Sequence, residues 1–130
     1  MYSATTRGIQ ITVTPKFLTQ ESEPDRAHFV WAYSIDIENH GETQVQLLSR
    51  YWRITDASGR VQVVEGPGVV GEQPILGPGE TFSYTSGVPL TTSSGFMVGY
   101  YVMVTDEGEK FEADVPAFSL DRAEERRVVH

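Results

Sequence analysis

Residues 28–38 of the chain read HFVWAYSIDIE, and this stretch decides the fold class. Large apolar side chains occupy every second position in it: Phe29, Trp31, Tyr33, Ile35 and Ile37. Because successive side chains of a β-strand point to opposite faces of the sheet, this spacing places all five on one face. The stretch therefore predicts a strand with one buried face and one exposed face.

The same alternation recurs along most of the chain, whereas helical periodicity is almost absent. The other predicted strands cover residues 9–17, 44–55, 61–64, 81–85, 96–104 and 111–115. In the strand at 44–55 the alternation slips at Leu47 and Leu48, which indicates a β-bulge or a strand buried on both sides. About seven strands separated by turn signals predict an all-β fold, either an antiparallel sandwich or a barrel.

Turn and terminus signals complete this outline. The Asp-Ala-Ser-Gly sequence at 56–59 predicts a hairpin turn, and Pro116 is expected to end regular pairing of the last strand. We interpret the charged residues 121–130 as a solvated C-terminal tail, in which residues 121–127 are the one candidate for a helix.

Length and composition indicate a single soluble domain over residues 1–130. A chain of this length can bury roughly two thirds of its unfolded surface, so its core needs no metal or disulfide support. The chain has no cysteine, which excludes a disulfide scaffold, a thiolate zinc site and cysteine catalysis. No apolar run has the length of a signal-peptide core or a membrane span, so we expect a cytoplasmic protein that does not contact membranes.

The charge balance weighs against nucleic acid as a partner. The formal net charge is -8, whereas Lys and Arg supply most of the affinity of proteins for phosphate backbones.

Residues 66–87 read GPGVVGEQPILGPGETFSYTSG and contain a Gly-x-Gly-x-x-Gly pattern at Gly66, Gly68 and Gly71. That pattern holds dinucleotide phosphates where its last glycine opens a helix. Here Pro74 and Pro78 follow too closely for a helix to form. We therefore expect the glycine motif at 66–71 to form a tight crossover between two sheets, with the glycines supplying positive φ angles.

A second interpretation of the glycine segment stays open, because successive backbone N–H groups can converge on an anion without a helix. Residues 61–109 contain no Lys, Arg or His, so a counter-charge would have to come from elsewhere in the fold. The candidate anion-binding residues are Gly66, Gly68, Val69, Val70, Gly71, Arg50 and Arg53.

Five motifs carry a family resemblance. They are RYWRIT at 50–55, GxGVVGxQP at 66–74, PGExFxYTSG at 78–87, GxMxGxY at 95–101 and DVPxFxL at 114–120. On these motifs, which span nearly the whole chain, the sequence resembles the ApaG (CorD) family. The resemblance implies a fibronectin type III-like or immunoglobulin-like β-sandwich, and a link to cobalt tolerance and magnesium efflux. Related domains are embedded in eukaryotic F-box and polymerase-interacting proteins, which implies a binding module and not an enzyme.

The sequence offers no constellation for catalysis or metal binding. It contains no Gly-x-Ser-x-Gly, no His-Glu-x-x-His and no Walker lysine. The three histidines, His28, His40 and His130, show no ligand spacing. We therefore expect no catalytic residue, no metal site and no cofactor.

The strand at 96–104 is apolar on both faces. Val98, Tyr100 and Val102 share one face, and Met97, Tyr101 and Met103 share the other. One inter-sheet core covers only one of these faces, so the other is covered by the glycine segment or left for a partner.

The leading functional hypothesis is a non-catalytic module that binds an unidentified partner protein through this strand and the loop at 66–75. Its candidate contact residues are Val69, Val70, Ile75, Met97, Tyr101 and Met103. The alternative is binding of pyrophosphate or nucleotide phosphates by the Gly66–Gly71 loop. Neither the partner nor the oligomeric state follows from the sequence.

Overall fold

The computed structural model describes residues 1–122 and is an antiparallel β-sandwich. The predicted tail lies outside the described residues from position 123 onward. The strands are β1 (Tyr2–Thr6), β2 (Ile9–Phe17), β3 (Phe29–Asn39), β4 (Val45–Asp56), β5 (Val61–Pro67), β6 (Ile75–Leu76), β7 (Thr81–Leu90), β8 (Gly95–Thr105) and β9 (Lys110–Leu120). A 3-10 turn, Pro24–Arg26, lies between β2 and β3. Within residues 1–122, no helix is long and apolar enough to cross a membrane.

The strands form two sheets that enclose one core. The four-stranded sheet has the order β1-β2-β3-β7, and the five-stranded sheet has the order β5-β4-β8-β9 with β6 also paired to β4. On one side β1 and β2 pack against β9, which closes the sandwich. On the other side the edge strands β5 and β7 flank an open groove between the sheets.

The predicted strands are all present, and two further ones were missed. β1 is a short segment of mostly small polar residues, and β6 has only two residues, so neither carries a clear apolar alternation. β7 extends to Leu90, beyond the predicted end at Thr85, and contains Gly87 and Pro89. Proline is tolerated there because β7 is an edge strand.

β3, which contains the alternating residues 29–37, lies inside the four-stranded sheet, between β2 and β7. Its five alternating apolar side chains, Phe29, Trp31, Tyr33, Ile35 and Ile37, are all buried, as predicted. Trp31 also donates a hydrogen bond from Nε1 to the carbonyl oxygen of Asp121, at 2.8 Å, which ties the end of the described chain to the core.

A β-bulge at Leu48 confirms the predicted slip in β4. Leu47 pairs with Met103 but Ser49 pairs with Val102, so β4 carries one extra residue at this point. The bulge reverses the phase of the strand. From there on Arg50, Trp52 and Ile54 lie on the inner face, and Tyr51 and Arg53 lie on the outer face.

The prediction that Pro116 ends regular pairing is wrong. β9 continues to Leu120, because one extra residue between Val115 and Phe118 absorbs the irregularity and restores the pairing with β8. Such a bulge accommodates a proline without ending the strand.

Trp52 is the central side chain of the core. Its ring contacts the rings of Tyr33, Tyr101 and Phe118 edge-on, at centroid distances of 5.5, 6.2 and 6.1 Å. It lies directly over Gly99 of the neighbouring strand: a Cβ atom on Gly99 would stand 2.8 Å from Trp52 Cε3 and 2.1 Å from the Tyr51 carbonyl oxygen. This position therefore admits only glycine.

We predict that Gly99→Ala destabilises the fold by at least about 2 kcal/mol, because the added methyl group must displace the Trp52 ring and the β4 backbone. Gly87→Ala is the matched control, since its Cβ would meet only the Trp31 carbonyl oxygen at an ordinary 3.5 Å. Urea unfolding measures both values. Destabilisation of the two variants by equal amounts would contradict the account of the core.

Candidate functional site

The glycine-rich loop that follows β5 stays within one sheet. β5 and β6 both pair with β4, so the chain leaves and returns to the same strand. The crossing to the other sheet comes after β6, at residues 77–80, where the Gly77 N–H donates to Glu80 Oε1 at 2.6 Å. The predicted crossover at 66–71 is therefore misplaced, because hydrogen bonds to β4 hold that loop on its own sheet.

Of the four backbone N–H groups at residues 68–71, which the anion-binding interpretation needs, two are already hydrogen-bonded within the protein. The Gly68 N–H donates to the Leu48 carbonyl oxygen, and the Val69 N–H donates to that of Glu72, both at 2.8 Å. Positive φ angles at Gly68, Val70 and Gly71 close the loop into this turn. Only Val70 and Gly71 keep N–H groups without a backbone acceptor in the described residues, so the four groups do not converge on one point.

The two candidate counter-charges lie on opposite faces of β4. Arg50 lies on the inner face and donates from Nη1 to the carbonyl oxygens of Pro67 and Gly68, at 3.1 and 3.0 Å. It thereby fastens the start of the loop to β4. Its guanidinium covers Gly66, where a Cβ atom would lie 3.1 Å from Nη1. Arg53 is exposed on the outer face and does not reach this contact.

Four of the six candidate partner-contact residues are buried, so the expectation that they form an exposed patch is wrong. Val69, Met97, Tyr101 and Met103 are each at most 1% exposed. The three residues of β8 point into the sandwich because they share the face of Gly99, over which Trp52 packs. Val69 is the apolar anchor of its loop. Val70 and Ile75 are exposed, at 55% and 56%.

The opposite face of β8 is the one that meets solvent. We call the outward side of the five-stranded sheet the outer face. Its apolar and aromatic side chains are Val61, Val63, Tyr51, Phe96, Val98, Tyr100 and Val102, with Ile75 at one end. Tyr51 and Tyr100 stack at its centre with ring centroids 4.9 Å apart and an interplanar angle of 15°. Phe96, Val61 and Val63 are between 43% and 49% exposed.

The corresponding face of the four-stranded sheet is polar. Ser34 Oγ and Thr85 Oγ1 share a hydrogen bond of 3.0 Å, and Ser83 Oγ donates to Asp36 Oδ1 at 2.6 Å. Antiparallel sheets commonly present such a polar side to water. Of the two sheets, the five-stranded sheet is therefore the one that presents an apolar side to solvent.

Carboxylates flank the tyrosine stack. Glu65 pairs with Tyr51 in the ladder and Asp114 pairs with Tyr100. Desolvation raises the pKa of Tyr100, and the negative charges of Glu112 and Glu65 raise it further. None of these three carboxylates has a cation within 4 Å in residues 1–122, where the ion pairs are Arg7–Glu109, Arg26–Glu23 and His40–Glu38.

The groove between the edge strands β5 and β7 is a second feature that the sequence did not reveal. One part has a volume of about 180 Å³ and is lined by Tyr33, Arg50, Trp52, Val64, Ser86 and Met97. A second part of about 340 Å³ includes His28, Asp56 and Arg60 and shares three lining residues with the first. The one sequence signal for it is the slip at Leu47 and Leu48, which turns Arg50 inward.

Three tyrosines lie beside Arg50. The Tyr84 and Tyr101 hydroxyl groups share a hydrogen bond, and Tyr33 lines the groove together with Ser86. Burial raises the pKa of Tyr33 and raises those of Tyr84 and Tyr101 well above the ordinary value, while the positive charge of Arg50 opposes each rise. All three hydroxyl groups are therefore protonated at neutral pH.

Asp56 and His40 have local roles. Asp56 Oδ1 accepts hydrogen bonds from Ser58 Oγ and from the backbone N–H groups of Ser58 and Arg60, which hold the predicted hairpin turn and lower the pKa of the carboxyl. His40 Nε2 lies 3.0 Å from Gln10 Oε1. In the part of the chain that the structure describes, no three His, Asp or Glu side chains gather in a way that could hold a metal ion.

Comparison with known proteins finds relatives of this chain in both sequence and structure. A sequence model described as the ApaG domain matches residues 19–105. The chain is 59% identical to Protein ApaG of Parvibaculum lavamentivorans over the full length of both, and 63% identical to that of Rhodospirillum centenum over 93% of each. The crystal structure of an ApaA protein from Bordetella pertussis is 46% identical, with a TM-score of 0.85 over 87% of this chain and 92% of that one.

Backbone hydrogen exchange tests the closed loop. We predict that the amides of Gly68, Val69 and Glu72 exchange slowly, because each donates to a backbone carbonyl oxygen, and that those of Val70 and Gly71 exchange fast. Pyrophosphate at millimolar concentration should leave the Gly68 and Val69 amide shifts unchanged. Fast exchange at Gly68 together with a saturable pyrophosphate shift there would restore the anion-binding interpretation.

Alkaline unfolding tests the buried tyrosines. Above about pH 10 the tyrosines of the unfolded chain lose protons while Tyr84 and Tyr101 keep theirs, so the free energy of unfolding should fall as pH rises, by up to about 1.4 kcal/mol per pH unit for each. The double variant Tyr84→Phe/Tyr101→Phe should show a shallower fall in urea unfolding between pH 8 and 11. Equal slopes for the two proteins would contradict the assignment.

Proposed function

The chain belongs to the ApaG domain family, and we propose that it is a non-catalytic binding module that holds a partner protein on the outer face of its five-stranded sheet. The observation that carries this proposal is the contrast between the two sheets. One presents hydroxyl and carboxyl groups to solvent, and the other presents Tyr51, Tyr100, Phe96 and several valines. Exposed apolar areas of this kind mark interaction sites in soluble proteins.

The composition of the outer face suits a protein contact. Aromatic side chains are enriched in interfaces, where they bury a large area at a small cost in side-chain entropy. The Tyr51–Tyr100 stack lies at the centre, Ile75 extends the apolar area at one end, and Val70 is exposed in the glycine loop that precedes Ile75. The loop and the strand at 96–104 therefore contribute together, with the opposite face of the strand from the one predicted.

The charges around the outer face define the partner. Among residues 1–122, Glu65, Glu112 and Asp114 border the tyrosine stack without a cation within 4 Å, and Arg53 is the exposed cation among the valines of this face, in a chain of net charge -8. A partner with an apolar patch bordered by Lys or Arg would bury the rings and place its cations beside these carboxylates. Such complementarity accelerates association and selects against acidic partners.

The proposal also accounts for the link to cobalt tolerance and magnesium efflux that the family resemblance implies. We assign any effect on cobalt tolerance or magnesium efflux to the partner protein, which this chain would engage in the cytoplasm. The chain itself then acts through contact and needs no bound ion.

We predict that Val63→Arg/Phe96→Arg weakens partner binding at least tenfold, because it removes two exposed apolar side chains of the outer face and adds two positive charges beside Arg53, which would repel a partner that carries Lys or Arg. The matched control is Ser83→Arg/Thr85→Arg on the polar face of the four-stranded sheet. Wild-type and variant proteins would be used to capture partners from a lysate of the source organism with quantitative mass spectrometry. Calorimetry on the purified partner then gives Kd.

The proposal expects a partner that binds the wild type and the control equally, loses affinity for the outer-face variant, and weakens further at high salt. Equal binding to all three proteins would contradict it. So would a self-associated dimer that is lost only in the outer-face variant, since a second copy of the chain would then be the occupant. Displacement of the partner by pyrophosphate would favour the phosphate alternative.

A further inference from the structure

The groove between β5 and β7 combines a cation, hydroxyl donors and apolar walls in one place. It lies between the two sheets, on the side where no strand closes the sandwich in the described chain. Its two connected parts together reach the size of small-molecule sites in proteins. It is separate from the outer face, which lies on the other side of β4.

Arg50 is the cation of this groove. It is half buried, and no carboxylate lies within 4 Å of its guanidinium in residues 1–122. Nη1 is engaged by the carbonyl oxygens of Pro67 and Gly68, which hold the side chain in one orientation. A fixed guanidinium with further N–H groups is a preorganised donor for a carboxylate.

The polar side chains next to Arg50 can supply further donors. Ser86 and Tyr33 line the same part of the groove and are paired across β7 and β3. Because Tyr33 is protonated at neutral pH, these groups add no negative charge beside the guanidinium. They can donate to a ligand that bonds Arg50.

The remaining walls are apolar. Trp52, Val64, Val88 and Met97 line the groove around Arg50, and their inner-face neighbours are core residues. A ligand that fits must therefore present a nonpolar body as well as its charged group. Burial of that body provides roughly 25 cal/mol per Å² of apolar area removed from water.

We propose that this groove binds a small organic monocarboxylate, with its carboxylate on Arg50 and the hydroxyl groups and its apolar body against Val64 and Pro89, above the buried Trp52. A single guanidinium neutralises a single negative charge. Pyrophosphate and the phosphate dianion carry at least one charge more, which would remain uncompensated in a partly buried site of an acidic protein, and neither has a nonpolar body.

The test uses the full chain and three probes: 3-phenylpropionate, its neutral amide 3-phenylpropionamide, and inorganic phosphate. Titration would be followed by the backbone amide shifts of Ser86, Gly87 and Val88 and by the indole N–H of Trp52. The expected result is a saturable shift with the carboxylate and at least tenfold weaker binding of the amide. Phosphate should produce no saturable shift in the groove.

Variants separate binding from folding. Arg50→Met should weaken carboxylate binding at least tenfold, but it also removes the bonds to Pro67 and Gly68. Ser86→Leu therefore serves as a second variant: it leaves Arg50 in place and fills the groove from β7, so binding should be lost in a protein that stays folded. Lys16→Met, an exposed charge on β2, is the control with the same change of net charge and should bind normally.

The absence of a saturable shift with 3-phenylpropionate would overturn the proposal. Equal affinity for the acid and the amide would also overturn it, since Arg50 would then play no part. Unchanged binding in Ser86→Leu would place the ligand elsewhere. None of these results bears on the outer face, and partner capture by Ser86→Leu should equal that of the wild type.

Discussion

The extra residue in β4 at Leu48 sets the side of the sheet on which every later residue of that strand lies. Without it, Tyr51 and Arg53 would point into the core, and Trp52 would point to solvent. With it, Trp52 packs over Gly99 and Arg50 lies in the groove. The Leu48 carbonyl oxygen also accepts hydrogen bonds from the Gly68 N–H and from Gln73 Nε2, both at 2.8 Å, so the glycine loop depends on the same feature.

The bulge and the Trp52–Gly99 contact together divide the apolar residues of β8 between two roles. Met97, Tyr101 and Met103 fill the core, where Tyr101 contacts Trp52 and bonds Tyr84. Phe96, Val98 and Tyr100 remain on the outer face, where folding of the domain does not bury them fully. No other part of residues 1–122 covers them further, and this is the reason for placing the proposed partner on the outer face.

Much of the fold could be predicted from period-two alternation alone, and the site could not. Alternation separates the two faces of β8 correctly but does not say which face is inner, because both are apolar. That choice follows from the long-range packing of Trp52 on Gly99, a contact between strands distant in sequence. The fastening of the glycine loop by Arg50 was equally hidden, since the bulge that turns Arg50 inward appears in the sequence only as the slip at Leu47 and Leu48.

Hydroxyl-radical footprinting of the folded protein tests most directly which face of β8 lies in the core and which is exposed to solvent. Side-chain oxidation read by tandem mass spectrometry should modify Phe96 and Tyr100 while Met97, Tyr101 and Met103 stay protected relative to the urea-unfolded chain. Methionine is readily oxidised wherever it is accessible, so protection of Met97 and Met103 is a stringent result. Oxidation of these two methionines at the rate of the unfolded chain, with Tyr100 protected, would contradict the account.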